Sequence, residues 1–223
     1  MNLEEVEGIV LKTLPYQENK RIISVFTENG ILQFIVTLSS SNTHLLSLTT
    51  PLSHALFIYQ PRSSQLHLFK EGSLLSSHLD YSRSYQHLET AMVLIQTILS
   101  SQLPGKSAPL LYKLLHVYLK NLTSCPEPKV LASSFILKTL LHEGLIGIDL
   151  LCTLCQKAPS QSLKEGSCYC TQCMPAQSLF FEKEEWDQLL ILLTSKKIQP
   201  LKELSYEITL HKKIQELFKE FFI

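Results

Sequence analysis

Four cysteines form two matching pairs, Cys152-x-x-Cys155 and Cys170-x-x-Cys173, with 14 residues between the pairs. Two residues between thiolates let both sulfurs reach one ion from a single tight turn. Two such turns complete a tetrahedron at about 2.3 Å per Zn–S bond. The spacing therefore predicts one structural Zn2+ held by Cys152, Cys155, Cys170 and Cys173. Four thiolates leave no coordination position for water, so Lewis-acid catalysis is not expected of this ion. Cys168-Tyr169-Cys170 offers a competing ligand. The Cys-x-x-Cys geometry favours Cys170 with Cys173, which makes Cys168 a spare thiol. Cys125, alone beside Pro126, reads as buried or inert.

Five of the six cysteines fall between Cys152 and Cys173, whereas a disulfide scaffold spreads its crosslinks over a small secreted chain. The clustering argues for a metal in a reducing compartment. The first residues, Met1-Asn2-Leu3-Glu4-Glu5-Val6-Glu7, are acidic where a signal or transit peptide would be basic. No apolar run reaches the roughly 18 residues of a membrane span. These features predict a soluble, cytoplasmic protein with no membrane partner. No other constellation carries chemistry: the chain has no P-loop, no GxGxxG and no GxSxG. His142-Glu143 lacks the second histidine of a metalloprotease, and the Pro-Cys-x-x-Cys of a zinc deaminase is missing. The eight histidines are scattered, and His44, His54, His67 and His78 fall in or beside the N-terminal region without metal spacing. They read as ordinary surface or core residues. No residue is expected to be catalytic, and no small-molecule substrate is implied.

The elements that must position the cysteines change character near residue 80. With 45% hydrophobic residues the chain of 223 can bury a substantial core. Residues 1–79 read as β-rich, with apolar runs at Val6, 9–11, 22–26, 31–36, 55–59 and 65–69. Turn sequences separate them at 14–19, at Glu28-Asn29-Gly30, at the polar loop 39–43 and at 60–64. Asn29-Gly30 predicts a type I′ hairpin turn. Five short strands in this length suit a small barrel such as the OB-fold. Residues 80–223 read as helical. Tyr85, Leu88, Met92, Ile95 and Leu99 recur at three and four, as do Leu110, Leu111, Leu114, Leu115, Tyr118, Leu119 and Leu122. A third face has Leu131, Phe135, Ile136, Leu140 and Leu141. Later faces have Trp186, Leu189, Leu190 and Leu193, then Ile208, Ile214, Leu217, Phe218 and Phe221. Core packing is the expected role of these stripes. Prolines break the helices at 103–105 and 125–128. The expected class is α+β: a five-stranded OB-fold barrel over 1–79, then an α-helical domain over 80–223 with a four-cysteine zinc element inserted at 150–175.

Three N-terminal segments together resemble the start of the bacterial RecO family. They are Gly8-Ile9-Val10-Leu11-Lys12-Thr13, Tyr16-x-Glu18, and Arg21-Ile22-Ile23-x-x-Phe26-Thr27-x-x-Gly30. The later part is similar too, with a helical domain interrupted by two Cys-x-x-Cys pairs, Gly166-Ser167 before the second pair, and Pro200-Leu201-Lys202 ahead of a closing helix. The resemblance implies a recombination mediator that binds single- and double-stranded DNA without a sequence code and anneals strands. It also implies RecR and the C-terminal tail of the single-strand-binding protein as partners, and help in loading RecA.

One departure bears on DNA. Family members usually carry a basic cluster after the third strand, where this chain has Val36-Thr37-Leu38-Ser39-Ser40-Ser41. Residues 1–80 hold five Lys/Arg against seven Asp/Glu, and phosphate neutralisation supplies most sequence-independent affinity. The remaining DNA-contact candidates are Lys12, Lys20 and Arg21, with Arg62 and Lys70 behind them. Tyr16, Phe34 and Tyr59 are candidates for stacking on bases, although core packing is the stronger expectation for Phe34. Lys196-Lys197 and Lys212-Lys213 are the densest positive pairs of the helical part; DNA, an acidic tail and plain surface charge all remain open for them. A different class of function, a zinc-stabilised protein-interaction scaffold with little DNA affinity, fits the weak charge of the barrel.

Overall fold

The computed structural model describes residues 2–38, 43–77 and 84–222. Residues 39–42, His78 and the expected boundary between 79 and 80 lie outside them. The chain forms two compact units, Met1–Thr123 and Ser124–Ile223. Two helices that follow the barrel therefore share its unit. Among the described residues no helix is long and apolar enough to cross a membrane.

In the first unit, β1 (Glu4–Gln17), β2 (Lys20–Thr27), β3 (Gly30–Thr37), β4 (Ser53–Gln60) and β5 (Leu66–Ser77) close a barrel in the order β1-β2-β3-β5-β4. That order, with β3 and β5 parallel and α1 (Thr43–Leu48) between β3 and β4, is the OB-fold. The interior holds Val10, Ile23, Val25, Phe34, Val36, Ala55, Phe57 and Tyr59, and Leu48 of α1 enters the same core. Alternation along the strands sends their neighbours outward. A register shift between Val10 and Lys12 lets Ile9, Val10 and Leu11 all be buried.

Two turns differ from the sequence expectation. Residues 14–17 continue β1 instead of turning: Leu14 pairs with Ile22 and Pro15 with Arg21, and only residues 18–19 turn. Proline is tolerated here because the ladder is already irregular between Pro15 and Gln17. The β2–β3 turn is not type I′. Asn29 keeps a negative φ, and Gly30 alone takes φ +102°.

Helices α2 (Tyr85–Ser101) and α3 (Pro109–Leu122) lie against β1 and β2. The buried stripe of α2 is Ala91, Leu94, Ile95 and Ile98 with Thr90, Thr97 and Ser101. The expected stripe is thus corrected: Tyr85 is 77% exposed, and Leu88 and Met92 are exposed too. The inward stripe is rotated from the expected one and takes Ala91, Thr90, Thr97 and Ser101 along with Leu94, Ile95 and Ile98. Leu110 of the second expected face is likewise exposed, whereas Leu111, Leu115, Tyr118, Leu119 and Leu122 are buried. The segment joining α2 to α3 hydrogen-bonds to the β2–β3 turn, from Gly105 N to Ile31 O (3.2 Å) and from Ala108 N to Glu28 O (3.3 Å).

In the second unit, α4 (Pro128–His142) is buried nearly all round, against α5 (Lys183–Thr194), α6 (Gln199–Lys202) and α7 (Ile208–Phe222). Leu141 is exposed instead of completing the third expected face, as is Ile208 of α7. Being the central helix, α4 must satisfy its polar groups internally. Tyr206 donates to Ser133 Oγ, which lies 2.8 Å from His211 Nδ1. Lys138 donates to Ser195 O at the end of α5 (2.6 Å).

The β2–β3 turn tolerates no side chain at its glycine. A Cβ at Gly30 would lie 2.3 Å from Lys106 O, on a backbone that L side chains rarely adopt. Gly30→Ala should destabilise the barrel by about 2 kcal/mol or more in urea unfolding; an unchanged midpoint contradicts this. His211 is buried neutral, its pKa lowered from 6.5 to about 4 chiefly by burial and then by Lys129. Its contribution is complete above pH 6.5 and is lost as pH falls towards about 4, because only the unfolded chain takes the proton there. The loss is up to about 3 kcal/mol. In His211→Gln the fall in stability between pH 7 and 4.5 should shrink accordingly, and an equal fall in both proteins would exclude the burial argument.

Candidate metal centre and nucleic-acid surface

Between α4 and α5 the chain builds a small three-stranded sheet, β6 (Ser162–Lys164), β7 (Ser167–Tyr169) and β8 (Leu179–Phe180), in the order β7-β6-β8. Sequence patterning suggests a polar loop over 156–169, but these residues hold a hairpin. Its turn residues Glu165 and Gly166 both have positive φ, +47° and +78°, which suits a two-residue turn of type I′. A Cβ at Gly166 would lie 2.1 Å from Leu145 O, so the close approach of residues 145–147 also needs glycine.

Each cysteine pair lies on a turn beside this hairpin. Gln156 N donates to Cys152 O (2.8 Å), and Met174 N to Cys170 O (3.0 Å). The first turn is fixed to the hairpin by Thr153 N to Cys168 O (2.9 Å). The sulfurs of Cys152, Cys155, Cys170 and Cys173 all lie within 4.8 Å of one another. Cys155 and Cys170 Sγ are 3.9 Å apart, close to the roughly 3.8 Å edge of a tetrahedron with 2.3 Å metal–sulfur bonds. All six cysteines are free thiols. The cluster could hold a metal ion.

The electrostatics suit a cation. The Cys155 backbone N–H holds the Cys152 thiol down to about 6, aided by the N–H groups of Cys170 and Leu154. Backbone N–H groups of Lys157 and Ala158 lower Cys155. Cys173 is pushed up to about 12, first by the Cys170 side chain and then by burial. Thiolates are thus favoured at some members and opposed at others by their neighbours, a conflict that a central positive charge removes. Cys168 points elsewhere: its Sγ donates to Gly147 O (3.1 Å), and burial raises its pKa. Cys125, near the start of α4, donates to Glu127 O (3.4 Å) and is also raised by burial.

The element is anchored to the helices through Phe181, which is fully buried. Its ring meets Trp186 at 5.8 Å, and Lys213 Nζ lies 5.5 Å above it. Glu182 and Glu185 form a capping box at the start of α5. Glu185 also receives Lys213, so this lysine of the Lys212-Lys213 pair is engaged within the unit. Lys196 and Lys197 are exposed.

On the barrel, strand register arranges the outward residues in rows. Ile9, Phe26 and Ile31 form a row beneath the helices, with Phe26 against Tyr112 of α3 at 5.9 Å. Next come Lys12, Ser24, Gln33 and Leu66, then Leu14, Ile22, Ile35 and Leu68, and at the far end Lys20 beside Thr37. These outer rows are exposed or half-buried. Arg21 lies on the opposite strand face from Lys20, because neighbours alternate. Arg62 is exposed in the β4–β5 loop, and Lys70 is exposed at the irregularity opposite Ile58 and Tyr59. Tyr16 is half-exposed, while Phe34 is fully buried. Tyr59 is corrected as a stacking candidate: it is buried in the barrel, and its hydroxyl donates to Glu4 (2.7 Å). Sequence reasoning also passed over His54. Its Nε2 lies 2.8 Å from Glu7 Oε1 and its ring 4.7 Å from that of His116, with Tyr112 OH 3.3 Å from the same carboxylate oxygen. A lone histidine in a strand gives no signal of such a network.

Comparison with known proteins agrees with this architecture. The family model described as recombination protein O N terminal matches residues 1–78. The DNA repair protein RecO of Chlamydia muridarum is 30% identical over 219 residues, covering 96% of this chain and 94% of that one. RecO of Chlamydia trachomatis serovar L2 is 29% identical over 96% of this chain and 90% of its own length. RecO of Caldicellulosiruptor saccharolyticus is 24% identical over 98% and 90%. With an OB barrel leading into helices and a similarity that runs almost end to end, the chain belongs to the RecO family of DNA repair proteins.

Proposed function

We propose that this protein is a recombination mediator that binds single- and double-stranded DNA without a sequence code and anneals complementary strands. Its protein partners on this reading are RecR and the C-terminal tail of the single-strand-binding protein, with assistance to RecA loading as the outcome. The observation that carries the reading is the open outer face of β2 and β3, where Ile22 and Ile35 are bordered by Lys12 and Lys20. OB-folds bind oligonucleotides on this face and with the β1–β2 and β4–β5 loops. The irregular end of β1 carries Tyr16, and the β4–β5 loop carries Arg62. Lys12, Lys20, Arg21, Arg62 and Lys70 are the proposed phosphate contacts. No catalytic group is assigned, and the compartment on this reading is the cytoplasm, where thiols stay reduced.

The ion proposed for Cys152, Cys155, Cys170 and Cys173 is a single structural Zn2+, because four sulfur ligands in tetrahedral array suit a closed, redox-inert site. The excess of carboxylates in residues 1–80 favours a second reading, a protein-interaction scaffold with little DNA affinity.

Affinity for a fluorescent single strand across a salt series separates the two. A mediator with three to five phosphate contacts should give a slope of log K against log salt of roughly −2 to −3.5, and Lys12→Ala with Lys20→Ala should flatten it by about 1.4. Absence of binding at low salt, with RecR still bound, favours the scaffold. For the ion, metal analysis should return one zinc per chain. Cys152→Ser should lose it and melt about 10 °C lower or more in the second unit; full zinc content with unchanged melting overturns the assignment.

A further inference from the structure

At the point where the helical cover of the barrel ends and the open face begins, a hollow of about 220 Å3 lies between β3, the β4–β5 loop and the α2–α3 segment. Its apolar wall is Ile31 and Pro104, bridged in parallel, while Leu32 borders it but packs against the barrel core. Its polar wall is Gln33, Arg62, Ser63 and His67. The Arg62 backbone N–H donates to His67 Nδ1 (3.2 Å), which ties the loop to a ring packed against Phe34 and Tyr59. Among the described residues, the Gln33 amide, the Arg62 guanidinium and the Ser63 hydroxyl have no hydrogen-bond partner within the protein. A concave apolar wall facing several uncommitted polar groups is the usual composition of a ligand site.

The geometry points to a subsite for one unpaired nucleobase of a single strand, an assignment that rests on the DNA-binding reading. For the hollow itself a phosphate is the poorer match: Arg62, exposed at its rim and able to hold the adjoining phosphate, is its one cation, and half of the amide's capacity is as an acceptor. A base presents donors and acceptors together at its edge, and its flat faces suit Ile31 and Pro104. A paired base has its edge occupied and its faces stacked, so duplex cannot enter without extruding a nucleotide. The hollow therefore holds a strand only while it is unpaired. Pairing with a complement withdraws the base and leaves the duplex on backbone contacts alone, which gives annealing a direction.

The test compares a short oligothymidylate with an oligonucleotide of the same length whose sugars carry no bases, both titrated against the full chain. Wild type should prefer the base-bearing strand. Ser63→Leu, which narrows the hollow from an exposed loop, and Gln33→Leu, which removes the amide, should each cut that preference about tenfold. Affinity for the abasic strand should stay within twofold. Salt-dependent binding of both strands by wild type with equal affinity overturns the subsite and leaves the DNA-binding reading standing. Variants that keep the full preference, or lose both strands in proportion, also overturn the subsite. Binding of neither strand by wild type instead removes the DNA-binding reading itself.

Discussion

Three residue pairs between parallel strands, Gln33 with Leu66, Phe34 with His67 and Ile35 with Leu68, close the barrel, and the first unit depends on them. Parallel pairing cannot be made by a tight turn, so the chain must travel through α1, β4 and a loop before β5 can meet β3. Closure removes the free edges that β3 and β5 would otherwise expose. It also decides which side chains share a surface. The same register that sends Phe34 and His67 toward Phe57 and Tyr59 sends Gln33, Ile35, Leu66 and Leu68 outward. Slip by one residue and the aromatic core and the open face would change places.

The second unit solves a different problem. Its central helix is apolar on almost every side, so the surrounding elements must cover it completely, and α5, α6 and α7 do so. The excursion between α4 and α5 cannot fold on apolar burial alone, because its strands are two or three residues long. A hairpin of that size is marginal in water. Its remaining sources of order are the four converging thiols and the Phe181 anchor under Trp186 and Lys213. Backbone N–H groups aimed at Cys152 and Cys155 prepare two of the sulfurs for negative charge within the fold itself.

The cysteine spacing was fully readable in the sequence, since a Cys-x-x-Cys turn is local and its geometry follows from two intervening residues. The five strands were readable for the same reason, because alternation with β-branched residues reports a half-buried strand without knowledge of its partner. Legibility ended where burial depends on distant surfaces. Tyr85, Leu88 and Met92 have perfect helical spacing, yet α2 turns Ala91, Leu94, Ile95 and Ile98 inward, because the surface that the helix meets comes from strands distant in sequence. Pro15 looked like a turn because proline usually ends strands, and only the irregular ladder explains its place in β1. The grouping of Gln33 with Arg62, and of Glu7 with His54 and Tyr112, comes from pairings far apart in the chain, which no local pattern encodes.

With five cations against seven carboxylates in residues 1–80, the N-terminal segment must hold nucleic acid, on the proposed reading, by something besides phosphate neutralisation. The open rows supply it: Leu14, Ile22, Ile35 and Leu68 form an apolar band, with Tyr16 at its end. Such a band attracts the faces of unstacked bases and has little to offer a duplex, whose bases are already stacked. Scarcity of charge is thus more than a loss. A strongly basic surface grips single strands and their paired product alike, and product that stays bound ends the cycle. A weakly charged, apolar surface favours the strand that still has bases to bury, and releases it as pairing takes those bases away.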